Sequence, residues 1–144
     1  MLNKFFSLLL ICAPVLLFAQ APKKMPLDGQ TFIAEIIKEG KKKPLDPDEL
    51  KFTAGKFKSV LFADWGFTKA SKYQIISIDS TSSATKIYTW TAEAINDIEE
   101  KMMWSGTISG EDIEGTSELI NKKGETKYNY TFTGKLKKKP GKKG

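Results

Sequence analysis

The sequence predicts an all-β protein: an antiparallel eight-stranded up-and-down β-barrel, with a β-sandwich as the alternative. Three observations predict it. Apolar and polar residues alternate over short runs, as on strands with one buried face. Most runs are joined by brief Gly, Asn, Asp and Ser turns. Few connections are long enough for the crossovers that sandwiches use. Sequential strands with one apolar face must cover it, and closing the sheet into a cylinder does so while removing both edges.

The elements follow in order. Thr31 to Lys38 places Phe32, Ala34 and Ile36 on one side, and Gly40 to Asp48 is a loop carrying Pro44 and Pro47. Leu50 to Thr53 aligns Leu50 with Phe52; Ala54-Gly55 turns the chain, and Lys56 to Phe62 returns it with Phe57, Ser59 and Leu61 alternating. Trp65-Gly66-Phe67 marks an irregular crossing before a strand over Tyr73 to Ile78. Asp79 to Thr85 is a Ser/Thr-rich turn, after which Lys86 to Ala92 sets Tyr88, Trp90 and Ala92 on one face. Lys101 to Ile108 aligns Met102, Trp104, Gly106 and Ile108. Gly110-Glu111-Asp112 leads into Ile113 to Ile120, and Asn121 to Gly124 turns again. Thr126 to Leu136 has the cleanest alternation, with Tyr128, Tyr130, Phe132, Gly134 and Leu136 on the inward face. Residues 92–103 also hold Ile95, Ile98 and Met102 at helical spacing; Asn96-Asp97 favours a hairpin there over a short helix.

Around this domain, 30–136, the 144-residue chain divides into three further parts. Residues 1–19 read as a signal peptide: Lys4 is the basic start, Phe5 to Phe18 the apolar core, and Leu17-Phe18-Ala19 the cleavage site. The expected product is periplasmic or secreted. Leu9-Leu10-Ile11-Cys12 resembles a lipidation motif, but bulky Ile11 stands where a small residue is wanted. Residues 20–29 read as a linker and 137–144 as a disordered lysine-rich tail.

Histidine is absent, and Cys12 is the one cysteine. Histidine bases, cysteine nucleophiles, disulfides and zinc sites are thereby excluded from the exported product. No enzymatic motif, cofactor or metal site is expected. Asp46, Asp48 and Glu49 cluster, but Pro47 interrupts them and the sharp-turn glycine of a calcium loop is missing. All 23 basic residues are lysines. Lys135, Lys137, Lys138, Lys139, Lys142 and Lys143 crowd the C-terminus, so the tail is the expected contact for an anionic surface. Without arginine the bidentate phosphate grip is missing, and no specific nucleic-acid partner is expected.

Leu27-Asp28-Gly29-Gln30-Thr31-Phe32, Asp48-Glu49-Leu50-Lys51-Phe52 and the stretch Trp104-Ser105-Gly106-Thr107-Ile108-Ser109-Gly110-Glu111-Asp112-Ile113-Glu114-Gly115-Thr116 carry a resemblance. They resemble small exported bacterial barrels of the lipocalin-like (calycin-like) kind, the last through a W-x-G-x-(I/V)-x-G-x-x-(I/L)-x-G pattern. The glycine-x-tryptophan of true lipocalins near the first strand is absent. The resemblance implies the barrel fold and a habit of holding small apolar molecules.

Such a molecule would meet the inward rings and a few polar anchors. The candidate ligand-binding residues are Phe32, Trp65, Phe67, Trp90, Trp104, Tyr128, Tyr130 and Ser117. The same rings could instead fill the barrel as an ordinary core. Trp65 and Phe67 would form a lip at the mouth, an anchor for a partner, or a plug of one end. Two functions stand against each other: binding a small apolar molecule inside, or acting as a protein-interaction or inhibitor module through loop surfaces. An apolar cavity of at least about 300 Å³ separates them.

Overall fold

The computed structural model describes residues 23–81 and 84–141. The expected signal peptide, and residues 142–144 of the expected tail, lie outside the described residues. The described residues form eight strands: β1 (Thr31–Lys38), β2 (Asp48–Thr53), β3 (Lys56–Ser59), β4 (Ser71–Asp79), β5 (Ile87–Ile95), β6 (Lys101–Ser109), β7 (Asp112–Ile120) and β8 (Thr126–Leu136). A single helical turn, α1 (Val60–Ala63), separates β3 from β4. Each strand pairs antiparallel with the next, and β8 returns to β1 from Phe32↔Leu136 to Lys38↔Tyr130. The sheet is therefore the closed up-and-down barrel, not the sandwich.

Strand alternation fills the interior. Phe32, Ala34 and Ile36 of β1, Leu50 and Phe52 of β2, Met102, Trp104 and Ile108 of β6, and Tyr130 and Phe132 of β8 are all buried. Across β7 and β8, Phe132 stands opposite Gly115, which is itself the partner of Gly106 on β6. A Cβ on Gly115 would lie 2.6 Å from both the Phe132 ring and Gly106 Cα. The wall thus presses backbone to backbone where a large ring needs space, which only glycine permits.

Two local outcomes reflect competition between turn chemistry and strand pattern. The third strand was expected to run to Phe62, but it stops at Ser59. The Ser59 hydroxyl accepts the Phe62 N–H at 3.1 Å, capping α1 and turning Phe62 over the end of the barrel. In the ambiguous 92–103 stretch the hairpin forms. Asn96 Oδ1 accepts the N–H groups of Ile98 (3.2 Å) and Glu100 (2.9 Å), so a tight turn between β5 and β6 takes the donors a helix would use.

The ends are closed differently. At the end reached by the β5–β6 turn, Phe62 and Phe67 are buried beneath the α1 loop. At the opposite end the segment read as a linker folds onto the barrel. Leu27 is fully buried, and Asp28 accepts the N–H of Gly55 (2.8 Å), the N–H of Met25 (2.9 Å) and the hydroxyl of Tyr73 (2.8 Å). The tail begins as a continuation of β8, with the Lys137 N–H donating to the Thr31 carbonyl at 2.7 Å.

Candidate functional site

The inward rings interlock. Trp90 packs edge-on against Phe52 with centroids 4.9 Å apart, and Phe57 lies 5.0 Å from both Trp90 and Trp104. Phe132 closes the group at 5.5 Å from Trp104. Phe62 reaches down from α1 to within 5.5 Å of Trp104 and 5.3 Å of Tyr130. A small crevice at the edge of these rings, bordered by Phe57, Phe62, Phe67, Met102 and Trp104 together with Lys58 and the exposed Lys69, measures about 10 Å³. A single water needs roughly 10–15 Å³, and a small-molecule pocket about 300 Å³ or more. The interior is a packed core.

Of the residues expected to line a ligand site, Phe32, Trp90, Trp104, Ser117 and Tyr130 face inward and are buried in this core. Phe67 is buried as part of the end plug. Trp65 and Tyr128 are not inside: they remain 44% and 41% exposed. The inward assignment of Tyr128 is corrected for a simple reason. Tyr128 lies two residues into β8, at the rim, where its ring stays partly open to solvent. The Lys38 ammonium stands 3.2 Å from its ring centroid, a cation–π contact. The rim carries a row of rings: Trp65 lies 6.4 Å from Tyr130, and Tyr130 lies 6.4 Å from Tyr128. Below Trp65, Phe62 meets it edge-on at 4.8 Å.

Three buried polar atoms in the barrel wall, Trp90 Nε1, Ser117 Oγ and the Tyr130 hydroxyl, have no hydrogen-bond partner among the described residues. Ser117 and Tyr130 are cross-strand neighbours on β7 and β8. Burial, with a smaller contribution from Tyr128, pushes the Tyr130 hydroxyl up to about 12.

Sequence reasoning missed the buried acid of the plug. Asp48, read as the last residue of a loop, is 1% exposed. Its carboxylate accepts the Ser59 hydroxyl and, at 2.8 Å, the Leu61 N–H, tying β2 to α1. Burial raises its pKa, and the hydrogen bonds from Leu61 and Ser59 offset this only in part. Glu49 is bound to Lys51 (3.2 Å) and Lys137 (2.9 Å), so neither acid is free to join Asp46 around a cation. Among the described residues there is no cluster of three or more His, Cys, Asp or Glu suited to a metal. The one signal for the cap was Ser59 itself, a favoured N-cap residue before a short apolar run.

Outside the wall, a broad concavity (about 920 Å³) lies between Pro44, Leu45 and Pro47 of the β1–β2 loop and the outward side chains of Glu114 and Thr133. It is open to solvent.

Fold and site define a solid antiparallel eight-stranded barrel, plugged at both ends, with an exposed aromatic rim at one of them. Comparison with protein-family models, with curated proteins and with solved structures finds no match to this chain.

Proposed function

We propose that this chain is an exported barrel of the lipocalin-like kind that works from its outer surface, as a protein-interaction module of the cell envelope. The observation that carries the reading is the interlocked packing of the inward rings, with Trp90 4.9 Å from Phe52, Phe57 5.0 Å from Trp90 and Trp104, and Phe132 5.5 Å from Trp104, which argues against a small apolar molecule inside. With the lumen filled, contact must be made outside. The best-formed feature for it is the rim where Trp65 and Tyr128 are exposed beside Lys38. Exposed Trp and Tyr on a rigid support are the side chains that anchor protein interfaces. Trp65 is held from below by Phe62, so little freedom is lost when a partner covers it.

Tryptophan fluorescence titrated with a panel of fatty acids and retinoid-like probes tests the filled core. No saturable change is expected; a saturable response that disappears in a Trp90 or Trp104 variant would restore the interior as the site. A photo-crosslinking residue at position 65, compared with one at position 123, tests the rim in the producing cell. A discrete adduct at 65 alone is the expected result, and equal adducts at both positions would remove the rim from consideration.

A further inference from the structure

The end of the barrel opposite the aromatic rim combines two features that the packing does not require. The first is a projection. β4 pairs with β3 only at Lys56↔Lys72 and Phe57↔Ser71, and the Tyr73 N–H adds one bond to the Gly55 carbonyl. From Gln74 to Asp79 the strand has β5 as its single partner, so the β4–β5 ribbon overhangs the tip of the β2–β3 hairpin. The overhang exposes Ile76 (58%), Ile78 (48%) and Ile87 (37%). Asp79 is the partner of Ile87, and successive residues of a strand face opposite ways. Ile78 and Ile87 therefore stand on opposite faces, so each face of the ribbon carries an exposed isoleucine, with the exposed Asp79 carboxylate beside Ile87.

The second feature is a lysine face at the base of this projection. Lys56 is the cross-strand partner of Lys72, and Lys51 the partner of Lys58. Like charges set directly opposite each other destabilise a sheet. Lys56, Lys58 and Lys72 have no ion-pair partner among the described residues. Lys23 and Lys24 line the same hollow as Lys56 and Lys72. The carboxylate there, Asp28, is already committed to Gly55, Met25 and Tyr73. Lys51 stands opposite Thr31, whose carbonyl binds the Lys137 N–H, so the start of the tail joins the same face, where Lys51 and Lys137 share Glu49 and the excess charge rests on Lys56, Lys58 and Lys72. Segments far apart in the chain thus bring their lysines together.

We infer that this end of the barrel docks on an anionic lipid bilayer, its lysines over the headgroups and Ile76, Ile78 and Ile87 at the acyl boundary. Charge complementarity supplies the attraction, and ammonium groups without arginine suit a diffuse field of headgroups better than bidentate recognition. The isoleucines distinguish a bilayer from a soluble polyanion, which would engage the lysines alone. A second copy of the chain is disfavoured, because a two-fold contact would set the lysine pairs against each other. The inference is independent of the rim, which lies at the far ends of β5 and β6.

Vesicle co-sedimentation of the exported protein tests it, comparing phosphatidylcholine with phosphatidylcholine containing phosphatidylglycerol. Partitioning on the anionic vesicles is expected to be at least about tenfold stronger and to fall steeply between about 0.1 and 0.5 M salt. The double variant Lys56→Gln/Lys72→Gln should lose several-fold of that preference. Ile76→Ser/Ile78→Ser should keep the charge preference but lose the binding that survives high salt. All variants share one N-terminus, so differences between them belong to this face. Equal partitioning of the unaltered protein on the two vesicles would overturn the inference, whether or not the variants fold. So would binding to soluble polyphosphate as tight as to vesicles and unaffected by the isoleucine changes, or an Ile76-dependent dimer in sedimentation equilibrium.

Discussion

Glu99 and Gly124 occupy the same place in two five-residue turns of one design. In each, an asparagine (Asn96 or Asn121) accepts the N–H groups two and four residues ahead on its side-chain oxygen. Each asparagine amide also reaches a glutamate four residues on. The fourth position needs a left-handed backbone: φ is +85° at Gly124 and +63° at Glu99. Glycine adopts that conformation without strain, whereas a residue with a Cβ does not. Glu99→Gly is therefore expected to raise stability by about 0.5–1 kcal/mol. Its exposed pair with Lys122 contributes little that would be lost. Urea unfolding would measure it, and a lowered midpoint would contradict the strain argument.

Phe62 and Trp65 meet edge-on, but they do different work. Phe62 is fully buried against Trp104 and Tyr130, whereas nearly half of Trp65 faces solvent. Phe62→Ala should cost about 3–5 kcal/mol through the cavity it leaves. Trp65→Ala should cost markedly less, although tryptophan is the larger side chain. Matching losses in thermal unfolding would mean that Trp65 is part of the plug and not a free rim.

What could be read in the sequence was local. The alternation at Phe32, Ala34 and Ile36, or at Tyr130 and Phe132, carries its own face assignment, and short turns fix the neighbour order that leads to closure. The remainder depends on contacts between distant segments. Leu27 looks like linker because nothing nearby shows that the β2–β3 hairpin and β4 receive it. Asp48 looks like a loop acid because its partners, Ser59 and Leu61, lie across a strand pair. Tyr128 keeps the right alternation, yet period alone does not say where the plug stops. The lysine pairs became visible only with the register, since a net charge sums over a surface that the fold divides.

Asp48 gives a pH dependence of known sign. Burial raises its pKa, so the folded state holds the proton more tightly than the unfolded chain. Stability should accordingly fall as pH rises through the folded pKa, relative to Asp48→Asn, which lacks the titration. At neutral pH Asp48→Ala should still cost about 1–3 kcal/mol, because the Ser59 hydroxyl and the Leu61 N–H lose their acceptor. Denaturant midpoints across mildly acidic pH would test both statements, and a gap to the asparagine variant that stays constant would refute the first.

Asp28 should behave in the opposite way. Desolvation raises its pKa, but the hydrogen bonds from Gly55, Met25 and Tyr73 outweigh it and hold the carboxyl below its ordinary value. Its contribution is then complete above the unfolded pKa of about 4 and lost as pH falls through the folded value. Asp28→Asn should be less stable than the unaltered protein at neutral pH, with the difference closing in acid. Amide exchange at Gly55 is a local readout of the same latch. Protection there that is insensitive to pH and to the substitution would show that Asp28 does not hold the N-terminal segment.

Tyr130 presents the reverse of a useful hydrogen bond. Its hydroxyl is buried with no hydrogen-bond partner among the described residues, so its desolvation is a cost to the fold. Burial, then the neighbouring Tyr128, pushes its pKa up to about 12, above the usual value near 10. The folded state therefore retains a proton that the unfolded chain releases, and stability should drop as pH rises between about 10 and 12. Tyr130→Phe keeps the ring against Phe62 and removes both penalties. It should be neutral to about 1–2 kcal/mol more stable at pH 7 and should reduce the alkaline loss. Thermal unfolding at neutral pH and at about pH 11 measures the two effects together. A phenylalanine variant that is clearly less stable at pH 7 would mean that the hydroxyl is engaged in solution, and the packed wall between β7 and β8 would have to admit whatever satisfies it.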